Sequence, residues 1–301
     1  METLALVVRL IRPLFLLGGF LLYALGAGIA RYLGTPIDWG AYWLGQFWVT
    51  SLQVSTQLLN EYFNAPADQT NENRTPFSGG SGALGPGKLP RATALYLALG
   101  FLAVLASLTV LMLAHGTLEP VALMNMALAF LGSFFYSTPP VSLEGSGYGE
   151  LTTSILVAFL LPAYSFQLQT GELHRLIPMV AFPLTLLHLA MLMAFSLPDY
   201  GNDIKHEKRT LVVRTGWKAG MTLHNLLILG AFLLLGLAMV FGLPQFAALP
   251  AFLTLPLGLL QVWQIRRIAE GMKPNWPAVT LTAIALFAVT AYLLTFAFWT
   301  H

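Results

Sequence analysis

Apolar stretches of about 20 residues recur from one end of the chain to the other, each long enough to cross a hydrocarbon core of about 30 Å. They predict nine spanning helices, at 13–30, 40–60, 91–114, 120–137, 150–168, 176–198, 219–241, 246–263 and 276–299. Pro244, Pro250 and Pro256 interrupt the eighth, which is tolerated in a membrane helix when neighbours satisfy the freed carbonyls. The pattern predicts an all-α polytopic membrane protein, with one helical domain over 1–301. Most connections are short. Two long loops are expected, at about 64–90 and 199–218, and long loops in compact proteins are usually functional or disordered.

The second span departs from simple apolarity. Gln46, Thr50, Gln53, Gln57, Asn60 and Asn64 follow one another in steps of four and three, which keeps them on one helix face. In lipid such a face turns toward protein or a wet cavity, although amides also serve simply as interhelical glue. The stripe runs directly into an acidic segment, Asn60-Glu61-Tyr62-Phe63-Asn64-Ala65-Pro66-Ala67-Asp68. A second acidic segment follows the sixth span, where Asp199, Asp203 and Glu207 fall four residues apart. If helical, they share a face, and like charges at that spacing repel. A cation is therefore expected there. Mg2+ fits, because it takes one or two carboxylates and completes its shell with water and substrate phosphates. The competing reading is a solvated helix end whose partners are Lys205, Lys208 and Arg209. His188 lies near the same face and reads as a hydrogen-bonded core histidine rather than a ligand. The glycine-rich run from Arg74 to Gly82 offers backbone N–H groups of the kind that nest an anion, though such runs are more often only flexible.

Composition narrows the class. The chain has 301 residues, 56% hydrophobic and 9% charged, with a mean hydropathy of +0.71; soluble domains carry roughly 25% charged residues. No basic run or finger-like spacing points to nucleic acid. The absence of cysteine excludes disulfides and thiolate metal sites. Arg9 and Arg12 before an apolar run loosely imitate a signal peptide, but the run continues to Ala30 and reads as an uncleaved first span. With the N-terminus inside, 13 of the 15 Lys and Arg residues fall on the inner face, leaving Arg31 and Arg175 outside. That orientation places both acidic segments on the cytoplasmic side. The Asn73-Arg74-Thr75 glycosylation match is then incidental.

The two segments together resemble the motifs of the UbiA superfamily of intramembrane prenyltransferases. Asn60-x-x-x-Asn64-x-x-x-Asp68 is similar to the first, Asp-rich motif. Asp199-x-x-x-Asp203, followed by Lys208-Arg209-Thr210-Leu211 and Gly216, is similar to the second. Tyr136-Ser137-Thr138-Pro139-Pro140, with Gly149-Glu150 beyond it, resembles the junction of the fourth and fifth spans. The resemblance covers nearly the whole chain. It implies nine helices around a central cavity open to lipid, and a prenyl diphosphate bound through Mg2+ between the motifs. By position, Asn64, Asp68, Asp199 and Asp203 would hold the metal. Asn60, Arg74, Lys208 and Arg209 would contact the diphosphate, and Tyr136 would serve the allylic end. The two aspartates of the second motif would be the catalytic core. The first motif departs from the usual Asn-Asp-x-x-Asp-x-x-x-Asp: Glu61 stands for its first aspartate and Asn64 for its second, which removes a charge.

The implied reaction transfers a prenyl group to an electron-rich acceptor at a prokaryotic inner or cell membrane. The run Lys208 to Gly216 looks most like the branch that prenylates 1,4-dihydroxy-2-naphthoate for menaquinone. The superfamily also uses 4-hydroxybenzoate, homogentisate, chlorophyllide, haem and glyceryl lipids, and an aromatic quinone precursor is the expected class here. Two other readings remain: a small-molecule transporter, and a non-catalytic isoprenoid-binding member motivated by Asn64. A transporter needs polar residues at mid-membrane on several helices, whereas polarity here is concentrated at the cytoplasmic ends.

Overall fold

The computed structural model describes residues 2–69 and 79–301. Among these the regular secondary structure is helical, apart from an isolated bridge between Leu84 and Leu89. A short amphipathic helix α1 (Glu2–Ile11), which the hydropathy pattern does not reveal, precedes α2 (Pro13–Tyr32). Arg12 joins them in the left-handed region at φ 52°. A following proline disfavours the α conformation at that position, and Pro13 then opens α2 with its fixed φ.

The longest helix is α3 (Trp39–Gln69), 31 residues or about 46 Å at 1.5 Å per residue. It does not stop at the predicted end of the second span. The first six residues of the expected loop instead continue the helix to Gln69, so Asn64 and Asp68 stay on the face of Asn60, while 79–90 are non-helical as expected. Pro66 lies inside it and removes the N–H that would bond the carbonyl of Tyr62. Arg91 Nε donates to that carbonyl at 2.7 Å, and its guanidinium sits 4.3 Å from the Tyr62 ring centroid.

Helix α4 (Arg91–Ala114) packs along α3, and α5 (Pro120–Ser137) follows. The next span is one rod in three parts: α6 (Gly149–Ile155), a wide π turn at Leu156–Leu160, and α7 (Leu161–Thr170). Pro162 accounts for the wide turn, since it cannot complete the regular ladder. Asn125 Nδ2 donates to the Leu160 carbonyl at 3.3 Å. Helix α8 (Leu176–Lys205) is the most buried long helix, against α10 (Trp217–Val240) and α13 (Trp276–Thr300). It too outruns its predicted end, and the expected loop 199–218 is largely helical. It continues to Lys205, and a short α9 (Leu211–Thr215) precedes α10. The eighth predicted span is broken into α11 (Gln245–Phe252) and α12 (Leu255–Ala269).

Among the described residues, eight helices are long and apolar enough to cross a membrane. Helix α3 is not among them, because its polar stripe dilutes its hydropathy. The chain is an all-α polytopic membrane protein. Its helices meet closely where glycines allow. A Cβ on Gly26 of α2 would collide with the Pro162 carbonyl of α7, and one on Gly45 would collide with the Tyr23 hydroxyl.

Gly26→Ala should therefore separate α2 from α7, costing about 1–3 kcal/mol, as overpacking does. The check is the unfolding midpoint in detergent. Gly18→Ala, where a Cβ meets nothing within 4 Å, should leave it unchanged.

Candidate active site

Because α3 stays helical to its end, Asn60, Asn64 and Asp68 line one edge of its last turns. Asn60 Nδ2 and Asn64 Nδ2 both donate to one atom, Oε2 of Glu144, each at 2.6 Å. Asn60 Nδ2 also reaches Ser137 Oγ at 3.0 Å. Glu144 sits in a tight turn, Leu143–Gly145, between α5 and α6. Ser142 enters that turn at φ 45° and ties back through Oγ to the Ser137 carbonyl at 3.0 Å. Burial raises the Glu144 pKa above the ordinary carboxylate range, while Lys208 and the Asn64 hydrogen bond draw it down. Asp68, a further neighbour, raises it.

The second acidic segment ends α8. Asp199 and Asp203 share a face, and Asp203 is buried. Glu207 lies past the helix end at φ 56° and does not continue that face. The chain then folds back. Lys208 N–H donates to the Asp203 carbonyl at 2.8 Å, and Thr210 Oγ1 donates to Asp203 Oδ2 at 3.3 Å. Lys208 is a charged neighbour of Asp203, Glu144 and Glu150. Arg209 N–H donates to the Gly145 carbonyl at 3.1 Å. That bond joins the turn after α8 to the turn bearing Glu144, so the two motif segments meet at Glu144–Gly145. The Arg209 side chain is exposed.

Glu150, at the start of α6, anchors the same region. Its Oε1 accepts from Leu211 N–H at 3.1 Å and Ser196 Oγ at 3.2 Å. Its Oε2 is buried without a protein partner. Tyr136 lies beside Thr153 and among the charges of Glu144, Glu150 and Arg12. Arg12 has Asp68 and Asp199 among its charged neighbours and so stands between the segments. Burial lowers its pKa; Glu61 and Asp68 oppose that.

Glu61 does not face Glu144. It is buried and accepts from Ser81 N–H at 2.7 Å and Ser81 Oγ at 2.6 Å, with Arg12 Nη1 at 3.7 Å. This acid holds the return of the chain after α3. Arg74 and most of the glycine-rich run lie outside the described residues. His188 is a buried core residue, its Nδ1 3.0 Å from Ser154 Oγ and its ring against Phe287. Along the α3 stripe, Gln46 Nε2 bonds Thr50 Oγ1 at 3.1 Å. The carbonyl oxygens of Gln46, Gln53 and Gln57 are buried without a protein partner.

Three residues of this cluster, Arg12, Glu144 and Glu150, are given no role by the motif reading, although Glu150 falls within the segment that resembles the junction of the fourth and fifth spans. Their signal is weak but present: in a chain with only 13 acidic residues, two fall six apart beside a predicted span, and one arginine directly precedes the proline that opens another.

The cluster suits a hard cation. Its donors are carboxylate and amide oxygens, and one buried carboxylate oxygen lacks a partner. Among the described residues no three His, Asp or Glu side chains converge closely enough to hold an ion unaided. Mg2+ commonly binds through one or two carboxylates plus phosphate oxygens, and that mode fits. A cavity of about 370 Å3 lies nearby, lined by Gly147, Tyr148, Leu151, Leu189, Leu211, Arg214 and Thr215, none of them an expected site residue.

Comparison with known proteins places this geometry. A 1,4-dihydroxy-2-naphthoate octaprenyltransferase of Bacillus subtilis (strain 168) is 25% identical over 217 residues, 71% of this chain and 67% of that one. The structure of a UbiA homologue from Archaeoglobus fulgidus bound to GPP and Mg2+ matches with a TM-score of 0.67 at 16% identity, over 95% of this chain and 98% of that one. A digeranylgeranylglyceryl phosphate synthase matches with a TM-score of 0.63 at 16% identity, over 100% and 98%. At such identities the structures share the fold. The pattern of the UbiA prenyltransferase family matches residues 20–276, and the chain belongs to that family.

Proposed function

We propose that this prenyltransferase moves a prenyl group from a prenyl diphosphate to an aromatic quinone precursor, with Mg2+, at the polar end of the bundle. The observation that carries the reading is the meeting of the α3 and α8 ends at the Glu144–Gly145 turn, with Lys208 and Arg12 among their carboxylates. The name of the Bacillus subtilis relative favours a dihydroxynaphthoate acceptor.

In this reading Asn64, Asp68, Asp199 and Asp203 hold Mg2+. When bound, the ion neutralises the departing diphosphate as a Lewis acid. Lys208 and Arg12 add fixed positive charge where the diphosphate charge grows, which is worth most in a water-poor site. Arg74 and Arg209 complete the diphosphate contacts, Asn60 serves the site through its carbonyl oxygen because its NH2 group is held by Glu144 and Ser137, and Tyr136 lies at the allylic end. The isoprenoid tail lies among the apolar helices, and excluding water there protects the allylic cation. The C–O bond to diphosphate breaks, an acceptor carbon forms the new C–C bond, and the acceptor loses its ring proton. Helix α3 is the ninth span in this reading, with its stripe turned inward, and residues 1–301 form one domain. The Lys and Arg asymmetry supports a polar end on the cytoplasmic face, and the reading takes the membrane as a prokaryotic inner or cell membrane.

Purified protein should release diphosphate from a prenyl diphosphate when an aromatic acceptor and Mg2+ are present. Asp199→Ala or Asp203→Ala should lower turnover at least about 100-fold, the scale of losing a transition-state electrostatic group. Full turnover in EDTA, or in either variant, refutes the reading. A panel of acceptors tests the acceptor class directly.

Arg12→Ala should raise the KM for prenyl diphosphate about tenfold, as for a lost charge-assisted hydrogen bond. Arg12→Lys should recover part of it. An unchanged KM in Arg12→Ala assigns Arg12 to Glu61 alone.

A further inference from the structure

The face that α3 offers to the site carries two amides and one acid: Asn60, Asn64 and Asp68. An amide presents either a carbonyl oxygen, which binds a cation, or an NH2 group, which repels one. Something has to choose between them. Glu144 stands where that choice is made. An ionised carboxylate only accepts hydrogen bonds. Both amides must then turn their nitrogens toward Glu144 Oε2, which they meet at 2.6 Å. The opposite edge of each amide, the Oδ1 edge, has no protein donor among the described residues.

We propose that Glu144 is a positioning residue of the metal–diphosphate site. It clamps Asn60 and Asn64 so that their carbonyl oxygens are presented to the cation. It also brings, from the turn between α5 and α6, the negative charge that the α3 face lacks at Asn64. The turn it occupies is fixed to the second motif by the 3.1 Å bond from Arg209 N–H to Gly145 O. Lys208 is a charge-compensating neighbour. Glu144 is thus held by the α8 side while it orients the α3 side. The inference rests on the proposed metal–diphosphate reading.

The test measures Mn2+ binding to the full chain in detergent by electron paramagnetic resonance, with an unreactive prenyl thiodiphosphate present. Glu144→Gln should weaken Mn2+ binding about 10- to 100-fold, the range seen when a partner that orients metal ligands is lost. Asn64→Asp alone replaces the donor by a second acceptor against Glu144 and should also weaken binding. The pair Glu144→Gln/Asn64→Asp restores a donor–acceptor couple with its direction reversed. It should recover to within about threefold of the natural chain, since residues in contact couple non-additively. A residue with a merely structural role would give additive losses or none. Glu144→Asp, which keeps the charge but withdraws it by one methylene, should weaken binding too and serves if Glu144→Gln is poorly folded. Natural affinity in Glu144→Gln or Glu144→Asp overturns the inference, as does Asn64→Asp tightening binding independently of residue 144. No Mn2+ binding by the natural chain with the analogue overturns the metal–diphosphate reading itself, a separate outcome.

Discussion

Four carboxylates, three of them buried and Glu144 half-buried, hold the polar end of this bundle together. Glu61 fixes the return after α3 through two bonds to Ser81. Glu144 gathers Asn60 and Asn64. Glu150 pins the start of α9 through Leu211 N–H and reaches α8 through Ser196. Asp203 receives Thr210. A buried acid without donors costs several kcal/mol, so each fixes the segment that supplies its donors. The connections that would otherwise be loose at a membrane surface are thereby set in place. The apolar helices supply the frame, and these four acids decide how its ends are closed.

The same arrangement explains why the site wants cations. The acids lie close enough to perturb one another: Asp68 acts on Glu144, and Asp199 on Asp203. Arg12 and Lys208 compensate only part of that charge. A metal–diphosphate pair, as proposed, would suit such a cluster, since the metal would meet the carboxylates while the diphosphate would meet Lys208 and Arg12. Neither partner alone suits it as well. A free diphosphate would face the acids, and a lone divalent ion finds no group of three side chains to hold it among the described residues.

Much of this was legible in the sequence, because helical spacing is a local property. The stripe from Gln46 to Asn64 and the pair Asp199 and Asp203 lie on helix faces as their intervals require. What misled was punctuation. Pro66 and a polar composition read as the start of a loop, yet α3 runs on to Gln69 because Arg91 satisfies the carbonyl that the proline strands. No local rule links Arg91 to Tyr62, 29 positions earlier. The roles of Glu144 and Glu150 were hidden for the same reason: their meaning lies in partners 46 to 84 positions away. Helix α1 escaped because an amphipathic helix of 10 residues, under three turns, carries too little hydropathy to stand out beside spans of 18 residues or more.

Glu61 carries the distinction between charge and position furthest. Read along the chain, it stands where the related motif has its first aspartate and offers the same charge on a longer arm. In the fold that arm reaches away from Glu144 to Ser81 and Arg12, and the acid is spent on closing the chain. The α3 segment then brings one carboxylate, Asp68, to the common face. The remaining negative charge comes from α8 and from the turn between α5 and α6. A motif counted by letters overstates what one segment contributes and misses what another supplies. The balance of the site follows from which acids have already found donors.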